Sequence, residues 1–490
     1  MEVTAVGVVV AMLGLSGFHF GTQTAITCFC LSLIFGAAAA LSLPALGGNS
    51  IPPSHLMLLF LGAGLCLQPG RVGAAIGTLA YPGVGFWFAA YILYAVLSAY
   101  FLPRIFEGAT LVYSSARDAE AATSPLASPL RVGSSNLSQA VYLLGDLICF
   151  AVVGGLVRLG HGRAIAGALV LTAAVCFGFA LLDVATFFSG HAYLFDPIRN
   201  ASYTMHVGET FAGFKRIVGT FPEASGYGAS ALALLSFTLL LWLDRYPISY
   251  LGTISLIGAA TIVFCTSTSA YSVAMLMFGL FIATGLHAVW RKRAGSPYLV
   301  FLATALLVVP TLVIGLMLVP PAWDAVTGVY DAAFANKLDS QSGEERTAWN
   351  RLAMTAFYDT GAVGAGLGSV RTSSFVAALL SNVGLPGTGL FAILIYRFLA
   401  YARQPGQDPV ERSIRRAAVM ATLCQLASAG IANGGLDLGL MFSVTLALAT
   451  CRPASGRETG SVRYAQAHAG THRQLPAHAG GAMTVEGALS

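Results

Sequence analysis

Charge is what this chain lacks. Of its 490 residues, 10% are Asp, Glu, Lys or Arg, against about a quarter in an ordinary soluble domain. With 56% of its residues apolar, a fold in water would have too little polar surface to cover its core. That excludes the soluble globular and disordered classes. Lysine is nearly missing: Lys215, Lys292 and Lys337 are the three, and the other basic residues are Arg. The net charge of +5, from 26 basic and 21 acidic residues, is spread along the chain and makes no nucleic-acid footprint. The eight cysteines (Cys28, Cys30, Cys66, Cys149, Cys176, Cys265, Cys424, Cys451) lie nearly all in or beside apolar runs. None pairs with a nearby His, so they read as small buried hydrophobes and not as a metal or disulfide framework. Alternating apolar and polar residues are missing too, which excludes an outer-membrane barrel. The first apolar run follows Glu2 with no basic residues before it, which predicts a membrane helix and not a cleaved signal.

What the chain has is long apolar runs. They fall near 4–18, 23–43, 54–68, 83–102, 138–158, 164–187, 227–243, 250–267, 270–289, 296–320, 383–402, 417–433 and 435–450. A spanning helix needs about 20 apolar residues, and only helices satisfy their own backbone in lipid without closing a barrel. The expectation is an all-α, polytopic integral membrane bundle over 1–451 with twelve or thirteen transmembrane helices. Three connections are too long to be turns: about 103–137, 188–226 and 321–382. The segment 452–490 reads as a polar, disordered cytoplasmic tail, its His residues solvated. No internal repeat supports an inverted-repeat transporter. Basic clusters at Arg158/Arg163, Arg291-Lys292-Arg293 and Arg403/Arg412/Arg415/Arg416 mark cytoplasmic loops, and helix parity adds Arg71 and Arg245. The same parity puts all three long loops on the periplasmic side of a bacterial inner membrane.

Those loops hold the residues suited to chemistry. The second ends "GETFAGFKRIVGTFPEASGYGAS", with Lys215 and Arg216 followed by Gly219, Pro222 and Glu223. In the third, "SGEERTAWNRLAMTAFYD" predicts an amphipathic helix. Ser342, Glu344 and Glu345 suit its start, Arg346 and Asn350 share a face, and Trp349 and Leu352 lie on another. "GAVGAGLGSVRTSSF" is a Gly-rich link whose backbone can approach a ligand; it leads to Arg371, Ser373 and Ser374. Arg binds phosphate with a bidentate fork. Arg in two aromatic-lined loops of a chain that avoids charge points to an anion site. No His/Asp/Glu cluster has metal-ligand spacing, so no metal is expected. Trp323, Tyr330 and Phe334, at near-helical spacing, are packing residues or sugar-stacking ones.

Three blocks give the chain a resemblance: "FKRIVGTFPEASGYGASAL", "TSTSAYSVAML" at 266–276, and the stretch from "SGEERTAWNRLAMTAF" through "GAGLGSVRTSSF" to "SNVGLPGTGLF". In that order, with a large loop before the last helices, they resemble the O-antigen ligase and polysaccharide polymerase (Wzy-type) superfamily. "LPRIFEG...SPLASPLRVGSSNLSQAVYLL" resembles its exopolysaccharide-production branch. The resemblance implies a GT-C-type membrane glycosyltransferase. Its donor is a glycan on undecaprenyl diphosphate, its acceptor a growing polysaccharide, and it needs no nucleotide sugar and no metal cofactor. A chain-length regulator is a further implied partner. The family's essential Arg residues fall on Arg216 and Arg346. Where ligases and many polymerases carry a His after the Gly-rich link, this chain reads "RTSSF", which leaves the base open and favours polymerase over ligase.

The chemistry suits these residues. Guanidinium groups stabilise a diphosphate leaving group, and a carboxylate or His takes the proton of the attacking hydroxyl. Glu223 is the first candidate base, with a salt bridge to Lys215 or Arg216 as its structural alternative. His206 and Glu209 follow, then Glu344, Glu345 and Asp339. The expected sites are therefore catalytic Arg216, Arg346 and Glu223, and substrate-binding Lys215, Arg371, Ser373, Ser374, Asn350 and His206. The rival outside the class is a polysaccharide flippase or transporter, which needs charge inside its helices. Few such charges are present, Asp146 and Asp183 among them.

Overall fold

The computed structural model describes residues 2–43, 49–68, 70–113, 127–202, 205–211, 214–292, 294–320, 323–324, 327–328, 341–404 and 408–453. Tyr330, Phe334, Lys337, Asp339, Arg293 and the polar tail beyond 453 lie outside them. Each of the thirteen apolar runs contains helix. In chain order the helices are α1 (Ala5–Phe20), α2 (Thr22–Ser32), α3 (Pro53–Cys66), the short α4 (Arg71–Ile76), α5 (Val84–Ile105), α6 (Ser134–Arg158), α7 (Gly162–Phe188), α8 (Ala224–Leu243), α9 (Leu251–Val263), α10 (Thr268–Trp290), α11 (Ser296–Met317), α12 (Gln341–Asp359), α13 (Phe375–Ala402), α14 (Pro409–Ala432) and α15 (Leu440–Thr450).

Seven of these are long and apolar enough to cross a membrane: α5, α6, α7, α8, α10, α11 and α13. The bent pair of α3 with Arg71–Leu79 would make an eighth. The protein is thus a multi-pass helical membrane protein. The difference from the twelve or thirteen expected spans has local causes. Gly21, at φ 93°, separates α1 from α2. The run 23–43 stops being helical after Ser32 and ends in a strand. The helices α9 and α15 have 13 and 11 residues, about 20 and 17 Å at 1.5 Å per residue, short of a hydrocarbon core of about 30 Å. In α14, Glu411, Arg412, Arg415 and Arg416 stand in the first turns. The third long loop also ends earlier than expected, because α13 begins at Phe375.

The core is built around α8 and α15. Tyr227, Phe237, Leu240 and Leu241 of α8 are buried, as is every residue of α15. By contrast, α11 leaves Leu306, Leu307, Leu312 and Ile314 exposed. Such a surface is stable only against hydrocarbon or another apolar partner.

Contacts between connections sort them into two ends. At one, Arg163 pairs with Asp408 at 2.7 Å, Arg416 with Asp244 at 2.6 Å, and Arg245 donates to Ser296 at 2.6 Å. Arg415 donates to the carbonyls of Tyr401 and Gln404. The long loops meet at the other end. Thr110 donates to Asp359 at 2.7 Å and Ser135 to the Gly368 carbonyl at 2.8 Å. The Ala37 N–H donates to Thr220 O, and that of Ala201 to Ala37 O. Small sheets brace this end: β1 (Glu2–Val3), β2 (Leu41–Leu43) and β3 (Asn49–Ile51) in one, β4 (Leu111–Val112) with β5 (Ser128–Pro129), and β6 (Thr210–Phe211) with β7 (Phe214–Lys215), all antiparallel.

Candidate functional site at the loop end

Two patches carry the residues singled out in the sequence. The first is the β6–β7 hairpin and the segment that follows it. Asp183, near the end of α7, is its anchor. One carboxylate oxygen accepts from Arg199 at 2.7 Å; the other accepts the Val218 and Gly219 N–H groups at 3.0 and 3.1 Å. Lys215 joins this core. Its side chain is 2% exposed, its ammonium lies 3.6 Å from Asp183, and it donates to the carbonyls of Val207 at 2.6 Å and Arg216 at 2.8 Å. Burial pushes the Lys215 pKa down, against the pull of Asp183. A cation so committed braces the loop and does not face a substrate. Asp183 likewise belongs to the loop anchor.

Arg216 is one residue further along an extended segment, so its side chain leaves on the opposite side. It is partly exposed and donates to Glu209 at 2.5 Å, and Glu209 in turn lies 2.7 Å from His206 Nδ1. The Arg216 Nε has no partner among the described residues. The guanidinium lies within electrostatic reach of Cys265 and Tyr271, which places it beside the "TSTSAY" corner between α9 and α10. Glu223 is not the partner of Arg216 or Lys215. It is exposed at the start of α8 and accepts from Ser225 at 2.5 Å. The salt-bridge alternative for Glu223 is therefore replaced by Glu209. The reason is register: the hairpin sets Arg216 opposite Glu209, whose carbonyl accepts the Arg216 N–H at 3.1 Å.

The second patch is α12 with residues 371–374. Asn350 clamps Ser373 at both ends: its Nδ2 donates to Ser373 Oγ at 2.9 Å, and its Oδ1 accepts the Ser373 N–H at 3.0 Å. Ser373 Oγ also reaches the Arg346 carbonyl at 3.4 Å. The Arg371 guanidinium stacks over Trp349, 4.0 Å from the ring centroid, in the geometry of a cation–π pair. The Arg371 backbone N–H donates to the Tyr113 carbonyl at 2.8 Å. Arg346, half-buried one turn before Asn350, has no hydrogen bond or ion pair to its guanidinium among the described residues. Ser374 caps α13 and donates to the Gly430 carbonyl at the end of α14. Glu344 and Glu345 are exposed in the first turns of α12, and Trp323 is partly buried.

The Gly-rich link does something other than expected. Residues 364–370 are buried. Gly364, Gly366 and Gly368 have φ of 96°, 98° and 79°. A Cβ on Gly366 would stand 2.5 Å from the Pro103 ring, and one on Gly368 would stand 2.7 Å from the Ser135 carbonyl. The glycines let this backbone approach α5 and α6, not a ligand. Asn136 donates to the Leu367 carbonyl at 2.7 Å, and the Asn382 carboxamide accepts the Ser369 and Val370 N–H groups at 3.1 Å. These two asparagines hold Arg371 in place. Asn136 was legible only as a polar residue at the head of an apolar run.

The structure thus gathers Arg346, Trp349, Asn350, Arg371 and Ser373 into one surface, and Arg216, Glu209 and His206 into another. The two share an end of the bundle. Ser374 touches the end of α14, α14 packs along α8, and the Ala224 carbonyl at the start of α8 accepts from Cys265 beside Arg216. The chain matches no protein-family model and has no significant sequence similarity to a curated protein.

Proposed function

We propose that this is a GT-C-like glycosyltransferase of the bacterial inner membrane. It polymerises oligosaccharide repeat units carried on undecaprenyl diphosphate, with its loop end in the periplasm and its Arg-rich end in the cytoplasm. The observation that carries this reading is the α12 surface. Arg346, whose guanidinium has no partner among the described residues, and Arg371, stacked on the Trp349 ring, belong to one surface joined by the Asn350–Ser373 clamp. Fixed, partly desolvated guanidinium groups are what a diphosphate leaving group requires. Trp349 gives the same surface an apolar face.

In the proposed reaction an acceptor sugar hydroxyl attacks the anomeric carbon of the donor. The carbon–oxygen bond to the diphosphate breaks, and its electron pair leaves with the lipid diphosphate. Arg346, Arg371 and Arg216 neutralise the charge that develops there. Glu223 takes the hydroxyl proton: it is exposed and has no ion-pair partner among the described residues, whereas Glu209 is committed to Arg216 and His206. Ser373 and Ser374 position the loop. Ligation of the glycan to lipid A-core would use the same groups with another acceptor.

The test is transfer in vitro. Purified protein in nanodiscs, given a synthetic polyprenyl-diphosphate oligosaccharide and no nucleotide sugar, should lengthen the glycan and release one lipid diphosphate per linkage. Intact donor after prolonged incubation, with properly folded protein, would sink the proposal. A second reading, a polysaccharide flippase or transporter, is favoured by one observation: Asp146 is buried within α6, and its Oδ1 has no hydrogen-bond partner among the described residues.

A further inference from the structure

The Arg-rich end holds a cavity that the glycosyl-transfer reading does not use. Its volume is about 410 Å³, and small-ligand pockets begin near about 300 Å³. Helix ends enclose it. The turn after α4 leads into the start of α5, and α6, α13 and α15 end beside it. Its wall carries Arg158, the last residue of α6, and Arg452, two residues past α15, together with Thr78, Tyr81 and Tyr401. Among the described residues no Asp or Glu lines it.

Arg at a helix end often does no more than satisfy the last carbonyls. Here another residue has that task. Arg415 of α14 donates to the carbonyls of Tyr401 at 2.9 Å, Gln404 at 3.3 Å and Ala449 at 3.4 Å, and so ties the ends of α13 and α15 together. Glu411, one turn before Arg415 on α14, offsets its charge. Arg158 and Arg452 are additional to that pair. Arg452 is exposed and places one donor on Gln404 Oε1 at 2.8 Å, of the five N–H groups a guanidinium carries. Arg158 lies along the turn after α4, where Gly77 makes room for it: a Cβ there would stand 2.7 Å from Arg158 Nη1. Charge does not balance within this cavity. The three helix C-termini contribute roughly −0.5 each and the start of α5 roughly +0.5, about −1 together. The two guanidinium groups outweigh this by about one positive charge, which a singly charged anion would complete.

We propose that the cavity binds the phosphodiester of an anionic phospholipid from the leaflet at the Arg-rich end. Phosphate is the anion that guanidinium groups recognise best. The surroundings argue for a lipid as its carrier. Tyr81, 68% exposed, and Tyr401 stand in the wall, and Ile76, 64% exposed, adjoins it. Tyr at helix ends marks headgroup depth, and basic pockets between membrane helices take anionic headgroups there. Exposed apolar side chains at the rim suit the acyl chains that accompany the phosphate. A zwitterionic headgroup would set its own cation against the two Arg. The cavity is at the opposite end of the bundle from the α12 surface, so the inference is independent of what that surface binds.

Native mass spectrometry of the full chain, delipidated in detergent and titrated with phosphatidylglycerol or phosphatidylcholine, tests it. Phosphatidylglycerol should be retained in preference. Arg158→Gln and Arg452→Gln should each weaken its retention about tenfold, the loss expected for one charge-assisted hydrogen bond. Arg163→Gln should leave retention unchanged. It removes the same charge from the same end, but from the ion pair with Asp408, which does not line the cavity. Equal retention of the two lipids overturns the proposal. So does an equal loss with Arg163→Gln, which would trace the effect to the general positive charge of that end. Inorganic phosphate at millimolar concentration should not displace the lipid; displacement would mark a site for a soluble anion and overturn the lipid assignment. Should Arg158→Gln fail to fold, Arg452→Gln decides, because its side chain is exposed beyond α15.

Discussion

Replacing Arg346 by Ala should leave the protein standing and remove its activity. The side chain is half-buried on α12, and no hydrogen bond or ion pair holds its guanidinium among the described residues. A substitution away from any such feature changes stability by no more than about 0.5 kcal/mol. Removing one preorganised donor to developing charge costs about 3 kcal/mol, roughly 100-fold in rate. The two magnitudes differ about sixfold, so the effects separate. Arg346→Lys keeps the charge but not the bidentate fork and should fall between. Arg216→Ala behaves differently. It breaks the Glu209 ion pair, whose side chains are 28% and 41% exposed, worth at most about 1 kcal/mol. It should therefore lose a little stability together with activity. The assay is glycan lengthening by purified variants in nanodiscs, with thermal unfolding measured in parallel. Wild-type rate and product length with Arg346→Ala would refute the role. A large fall in unfolding temperature for that variant would show that the residue is structural.

Gly366→Ala should destabilise strongly, because a Cβ there meets the Pro103 ring at 2.5 Å and φ is 98°; strain of this kind costs about 1–3 kcal/mol, and a wild-type unfolding temperature would show that the link relaxes freely. Membrane-impermeant thiol labelling of single cysteines, in a Cys-depleted background, should mark positions 346 and 371 from the periplasm and leave 291 and 292 unmarked, whereas the reverse pattern would invert the proposed topology. Transfer should persist in EDTA, the expectation from outer loops whose sequence carries no His/Asp/Glu cluster at metal-ligand spacing; loss restored by magnesium would contradict this.

Much of the fold was legible because lipid leaves the backbone few options. A run of about 20 apolar residues must close its hydrogen bonds on itself, so every apolar run contains helix, although the runs 23–43 and 435–450 are helical only over Thr22–Ser32 and Leu440–Thr450. Lengths were less legible. Hydropathy does not show that Gly21 turns the chain, or that the stretch before α15 stays non-helical although it continues an apolar run. The sorting of basic clusters to one end and long loops to the other followed from parity, which depends only on which runs are counted together.

Side-chain partners were beyond the sequence, because they depend on how distant segments meet. Lys215 and Arg216 are neighbours with the same charge. The extended backbone sends one into the Asp183 core and the other toward Glu209. The Arg371–Trp349 stack joins a loop to a helix 22 positions earlier, and spacing along α12 says nothing of it. Glycines that suggested a ligand cradle are used for contact with Pro103 and Ser135, since the same absence of Cβ serves either end. Asp146 is an isolated acid in an apolar stretch of the sequence. Its burial exists only because α15 packs against α6, and such packing of distant segments is what hydropathy does not show.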